Sequence, residues 1–127
     1  MRAVVIEVGG VEVRAQLLDT PTAERIWAAL PIAAAARVWG EEVYFDAPIT
    51  SAVEPDAKTV VKAGEIAFWP AGDAIAIGFG PTPLSRTRDE IRLASPCNIW
   101  AEALDDVRQF RGVHAGAQIV VRQARDA

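Results

Sequence analysis

A single Cys, a single Met, a single Tyr and a single His stand among the 127 residues of this sequence. Cys97 has no second thiol to pair with, so no intramolecular disulfide can form, and a reducing compartment, the cytoplasm, is the expected setting. One His and one Cys make no ligand cluster, and no carboxylate grouping has the spacing of a calcium loop. No metal and no cofactor are therefore expected. An uncharged apolar run of about 18 residues, the length a membrane helix needs, is absent, so no membrane partner is expected either. The opening segment Met1-Arg2-Ala3-Val4-Val5-Ile6-Glu7 is too short in its apolar run for a signal-peptide core and is broken by Glu7.

Positive charge is also scarce. Lys and Arg number 13 against 17 Asp and Glu, for a net charge of −4, and the Arg residues are scattered along the chain. No basic footprint for nucleic acid results. A phosphate-cradling loop is missing, because Gly9-Gly10 and Gly78-Phe79-Gly80 lack the helix and Lys that such a loop requires. His114, in Gly112-Val113-His114-Ala115-Gly116, has no nucleophile-elbow Ser to serve among Ser51, Ser85 and Ser95. Cys97, within Ser95-Pro96-Cys97-Asn98, reads as a small, partly buried residue. No catalytic residue is assigned.

What the chain does have is enough apolar material for one core. With 51% hydrophobic and 24% charged residues, 1–127 reads as a single globular domain, only its last residues, Asp126-Ala127, forming a tail. Val4–Val8 and Val11–Leu17 flank Gly9-Gly10 and predict a hairpin, the second arm alternating Val11, Val13, Ala15 and Leu17 with polar residues. The period then changes. Thr20 is placed to cap a helix, Pro21 suits its first position, Glu24 lies near capping-box spacing, and Ala23, Ile26, Trp27 and Leu30 form one apolar stripe.

Pro31 ends that helix, and Ala33–Trp39 reads as one strand. Further strands are expected at 42–45, 66–69, 74–79, 98–104 and 118–122, with an extended piece at Pro48-Ile49. Loops are expected over Ser51–Val61 and Arg86–Arg92, and a helical turn over Asp105–Phe110. Six to eight short strands between Gly and Pro turns, with one clear helix, suggest a mainly β barrel or sandwich.

Three segments carry most of the aromatics: Trp39-Gly40-Glu41-Glu42-Val43-Tyr44-Phe45, then Gly64-Glu65-Ile66-Ala67-Phe68-Trp69-Pro70-Ala71-Gly72, then Phe79-Gly80-Pro81-Thr82-Pro83-Leu84-Ser85. In this order, behind an N-terminal hairpin and helix, they resemble the small cyclophilin-like family of uncharacterised bacterial and archaeal proteins. The resemblance implies a closed cyclophilin-like β-barrel of about eight strands with one or two short helices. Prolyl isomerases of that fold carry a Phe-His-Arg type segment, and this sequence has none.

Aromatics beside turn-forming Gly and Pro describe a shaped cleft. Its candidate ligand-binding residues are Arg37, Trp39, Glu41, Glu42, Tyr44, Trp69, Phe79, Thr82 and Ser85. Glu41 and Glu42, adjacent in a strand, should point to opposite faces and not act as a pair. Two readings stay open: a binding domain for an unknown small molecule or peptide without typical isomerase catalysis, or a divergent peptidyl-prolyl isomerase or other enzyme of the fold. In the second, Arg37, Glu41, Glu42 and Tyr44 are the polar groups to test. A monomer and a homodimer are both compatible with the sequence.

Overall fold

In a computed structural model, residues 2–124 are described, and the C-terminal tail expected at Asp126-Ala127 lies outside them. Strands β1 (Ala3–Val8) and β2 (Val11–Leu17) form the expected hairpin, with Gly9 and Gly10 at positive φ in its turn. Helix α1 (Pro21–Ala29) follows. The Thr20 hydroxyl accepts the Ala23 amide at 3.1 Å, which closes its first turn. Glu24 does not complete a capping box; its carboxylate pairs with Arg2 at 2.7 Å. Ala23 and Ile26 sink into the core, and Trp27 and Leu30 pack at its margin.

The stretch foreseen as one strand over Ala33–Trp39 is two: β3 (Ile32–Ala35) and β4 (Arg37–Val38). Ala36, between them, is buried, and its backbone exchanges hydrogen bonds with Ala117 and Gly116 at 2.8 and 2.7 Å. The break has a topological reason. After β5 (Glu42–Asp46), β6 (Lys58–Val61), β7 (Glu65–Trp69), β8 (Ala74–Gly78), β9 (Ile91–Ala103) and β10 (Gln118–Gln123), the antiparallel sheet runs β3-β10-β1-β2-β9-β7-β8-β5-β4. Its two ends, β3 and β4, are joined through Ala36 alone, so a single kinked stretch draws the sheet into a nearly closed barrel.

Among the described residues nine strands make the barrel, in keeping with the about eight expected, and β6 is a further strand off that path. Pro48-Ile49 is not a strand. Lys58–Val61, foreseen within a loop, is β6, and β9 begins at Ile91, inside the segment foreseen as a charged loop. A short 3₁₀ helix (Val107–Phe110), capped by the Asp106 side chain, fulfils the expected helical turn.

Two apolar clusters result among the described residues. The main one fills the barrel with Phe45, Phe68, Ile75, Ile77, Trp100 and Phe110, each fully buried, and each such side chain contributes about 1.5–3 kcal/mol. Trp100 satisfies its indole N–H on the Ala67 carbonyl at 3.2 Å. The second cluster is Val61, Ala67, Ala76, Ile91, Leu93 and Cys97, packed with Tyr44, Trp69 and Ile99. It lies on the opposite face of β5, β7 and β8, because Ala67 alternates with Ile66 and Phe68, and Ala76 with Ile75 and Ile77.

Strand β9 makes this second layer. Its last residues pair with β7 and β2 in the barrel, while Ile91, Arg92 and Cys97 pair with β6. The first half of β9 and β6 therefore form a flap over the outside of the sheet.

Candidate functional site

Between the flap and the outer sheet face lies a cleft of about 260 Å³, lined by Trp39, Glu42, Tyr44, Trp69, Ala76, Leu93, Ala94 and Cys97. Its floor follows from strand alternation. Val43 and Phe45 point into the barrel, so Glu42 and Tyr44 point outward, and Tyr44 stands in register with Ala76 and then Ala67. Two alanines in that row leave space that larger side chains would fill.

Trp69 forms one wall. Its indole N–H donates to the Ser95 hydroxyl at 2.6 Å. Its six-membered ring lies against Gly72 so closely that a Cβ there would come within 2.4 Å of ring carbons. The Trp-Pro-Ala-Gly turn is thus a seat for the Trp69 ring. Trp39 forms the other wall, on a turn that the 79–83 segment clamps. Gly40 has φ +60°, and a Cβ on it would meet Pro81, Thr82 and Pro83 at 2.9 Å; the Glu41 amide donates to the Pro81 carbonyl at 2.9 Å.

The candidate residues divide accordingly. Trp39, Glu42, Tyr44 and Trp69 meet at the cleft, the three aromatics half-buried. The other five do not line it. Phe79 is buried in the main core. Thr82 is buried and donates to the Arg92 carbonyl, while the Ser85 hydroxyl accepts the Thr82 and Arg92 amides at 2.9 and 3.3 Å. Glu41 faces away and accepts from Arg111 at 2.9 Å. Arg37 pairs with Asp46 at 3.0 Å, and its guanidinium carbon lies 5.8 Å from the centre of the Tyr44 ring. Both Arg37 and Glu41 therefore have charged partners of their own.

Four lining residues escaped the sequence reading: Ala76, Leu93, Ala94 and Cys97. Ala76 carried a signal in its alternation with Ile75 and Ile77. The other three belong to the flap, which nothing local announced.

Two groups in the cleft have displaced proton affinities. Burial pushes the Glu42 carboxyl up to about 7. Burial, and secondarily the Glu42 charge, push the Cys97 thiol up to about 12. Cys97 is thus held as a neutral thiol, its sulfur 3.3 Å from the Ser95 carbonyl, and is a poor nucleophile. His114 lies apart, in a groove with Arg111, Gln109 and Val113. No group of three His, Cys, Asp or Glu able to hold a metal occurs among the described residues. No helix among them is long and apolar enough to cross a membrane.

The comparisons fit this architecture. A model of the family described as Cyclophilin-like matches residues 2–122. The chain belongs to the cyclophilin-like family. The solution structure of the hypothetical protein AF2241 from Archaeoglobus fulgidus is similar over 97% of this chain and 95% of that one, at 33% identity and a TM-score of 0.82. A structure of McbB in complex with tryptophan is similar in fold, with a TM-score of 0.70 at 19% identity, covering 98% of this chain and 45% of McbB. No curated protein sequence matches the chain. For this member of the cyclophilin-like family, the site to explain is the outer-face cleft.

Proposed function

We propose that the domain is a binding module whose outer-face cleft takes a small molecule, or one side chain of a peptide, without prolyl isomerase catalysis. The observation that carries this reading is the convergence of Trp39, Tyr44 and Trp69, each half-buried, on one concavity of about 260 Å³. That volume sits just below the range of about 300–1,000 Å³ usual for ligand sites. Trp39 and Trp69 are braced by the Gly40 and Gly72 turns, and a wall ordered in advance loses less entropy on binding. The fold relation to a structure of McbB holding tryptophan is compatible with a small-molecule occupant.

The isomerase alternative finds less support. No Arg lines the cleft among the described residues, and Arg37 is engaged by Asp46. The test is a fragment screen read on the indole N–H resonances of Trp39 and Trp69, beside a prolyl isomerase assay on a short peptide panel. Fragments that move those two resonances, with no turnover, are expected. Turnover abolished by Arg37→Ala or Tyr44→Phe establishes the enzyme instead.

A further inference from the structure

The cleft contains one group that the protein leaves unfinished. Glu42 is 94% buried, its relative exposure being 6%, yet no side chain or amide among the described residues donates a hydrogen bond to its carboxylate. Every fully sealed side-chain oxygen or nitrogen among the described residues does have a partner. The Glu42 oxygens are therefore not sealed: they retain accessible surface, and the cleft they line is where it lies.

Arg37, on the paired strand β4, is committed to Asp46, and Arg111, brought in from far along the chain, to the neighbouring Glu41. The other ionisable groups lining the cleft are Tyr44, from the same strand, and Cys97, from β9; the remaining walls are Trp39, Trp69, Ala76, Leu93 and Ala94. An acceptor-only carboxylate among aromatic faces and alkyl groups lacks both a counter-charge and donors. Burying it so is unfavourable unless a partner supplies them.

We propose that the cleft takes a small organic cation, a primary or secondary ammonium on a single-ring or similarly compact apolar body, with its N–H groups on the Glu42 carboxylate. This rests on the cleft being a binding site. An ammonium gives the carboxylate charge-assisted hydrogen bonds, the strongest kind available to it. The faces of Trp39, Tyr44 and Trp69 attract a cation through their ring quadrupoles. The apolar body would lie on Ala76 and Leu93. The acid with which the ammonium must compete is the proton already favoured by burial, because Glu42 is half protonated near pH 7. Binding therefore expels a proton from Glu42 below that pH.

The experiment compares 2-phenylethylamine with 2-phenylethanol, which has the same ring and chain but no charge, on the intact protein. Calorimetry at pH 8 gives affinities, and the Trp39 and Trp69 indole resonances report the place. The amine is expected to bind at least about tenfold more tightly than the alcohol, and Glu42→Gln to abolish that preference. In the unmodified protein the amine affinity falls about tenfold per unit of pH below 7, while that of the alcohol does not. The pH series needs no variant and so stands even if Glu42→Gln folds poorly.

An alcohol that binds as well as the amine, or an amine preference that survives Glu42→Gln, overturns the cation while leaving the cleft a binding site. So does a reversed preference that grows below pH 7, which marks protonated Glu42 as a donor to neutral ligands. If neither compound nor any fragment of the screen moves the two indole resonances, the binding-module reading fails together with it.

Discussion

The indole N–H of Trp69 and the hydroxyl of Ser95 are joined at 2.6 Å across 26 residues of sequence, tying the barrel strand β7 to the outer half of β9. This bond and the Gly72 seat fix the Trp69 ring from two sides, and with it one wall of the cleft. Ser95→Ala removes the acceptor from a half-buried donor and should cost about 0.5–1.5 kcal/mol in a urea titration. The near-ultraviolet circular dichroism of Trp69 should weaken while the far-ultraviolet spectrum stays. Gly72→Ala places a Cβ within 2.4 Å of the ring and should cost about 1–3 kcal/mol, with Trp69 displaced from its seat. Unchanged Trp69 ellipticity in both variants would mean the ring is held by other contacts.

Glu42 sets a pH dependence of opposite sign to that of ordinary surface carboxylates. Burial raises it from 4.5 to about 7 in the folded protein, so between these values the native state binds more protons than the unfolded chain. Stability from this group is full below about pH 4.5 and is lost as pH rises through 7, by roughly 3 kcal/mol. Hydrogen bonds from Arg92, Arg14 and Arg108 lower Glu90, Asp105 and Asp106 respectively, and those contributions disappear only as pH falls through the acid carboxylate range. The two windows are therefore separate. Urea titrations at pH 5 and pH 8 should show the unmodified protein losing stability over that interval and Glu42→Gln losing far less. Equal slopes for the two proteins would place the Glu42 carboxyl in water.

Much of this architecture can be read residue by residue, and its failures share a cause. The hairpin around Gly9-Gly10 and the Thr20 cap are local: turn chemistry, alternation and capping all lie within a few residues of sequence. The flap is not. Lys58-Thr59-Val60-Val61 adjoins Pro55-Asp56, and Arg92, Ser95 and Pro96 sit inside β9, so both segments look like loop until their pairing is known. The site inherits this difficulty. Alternation along β5 correctly sets Glu42 and Tyr44 opposite Val43 and Phe45, but the face opposite a core ordinarily meets water. Only the covering by β9 and β6 turns that face into an enclosed cleft and Glu42 into a buried acid.

Thr82 and Ser85, drawn from the Gly-Pro segment as ligand contacts, serve inside the protein. The Thr82 hydroxyl donates to the Arg92 carbonyl and accepts the Leu84 amide at 3.3 Å, and Ser85 accepts two amides. Thr82→Val keeps the shape and leaves the Arg92 carbonyl without that donor, so a loss of about 1–2 kcal/mol in thermal unfolding is expected. Ser85→Ala should cost a similar amount, by orphaning the Thr82 and Arg92 amides. Full stability in both variants would free these hydroxyls for a ligand.

Asn98 is the one wholly buried amide side chain in the flap strand, and it pins the segment between β5 and β6. Its nitrogen donates to the Thr22 hydroxyl at 3.0 Å and to the Ala52 carbonyl at 2.9 Å; its oxygen accepts the Glu54 amide at 2.8 Å. The Glu54 carboxylate in turn accepts the Thr22 amide at 3.1 Å and the Thr22 hydroxyl, so helix α1, the 52–54 segment and β9 share one network. Asn98→Ala strips three partners at once and should cost about 2–4 kcal/mol. Asn98→Asp keeps an acceptor for the Glu54 amide but loses both donated bonds and sets a second carboxylate beside Glu54, so it should be no milder than Ala at neutral pH. Hydrogen exchange separates local from global effects. If the network holds only the 52–54 segment, the Glu54 amide loses protection while the β7 and β8 amides keep theirs. If the network also holds the helix on the barrel, all of them lose protection together, and the burial of Ala23 and Ile26 in the main core favours that second outcome.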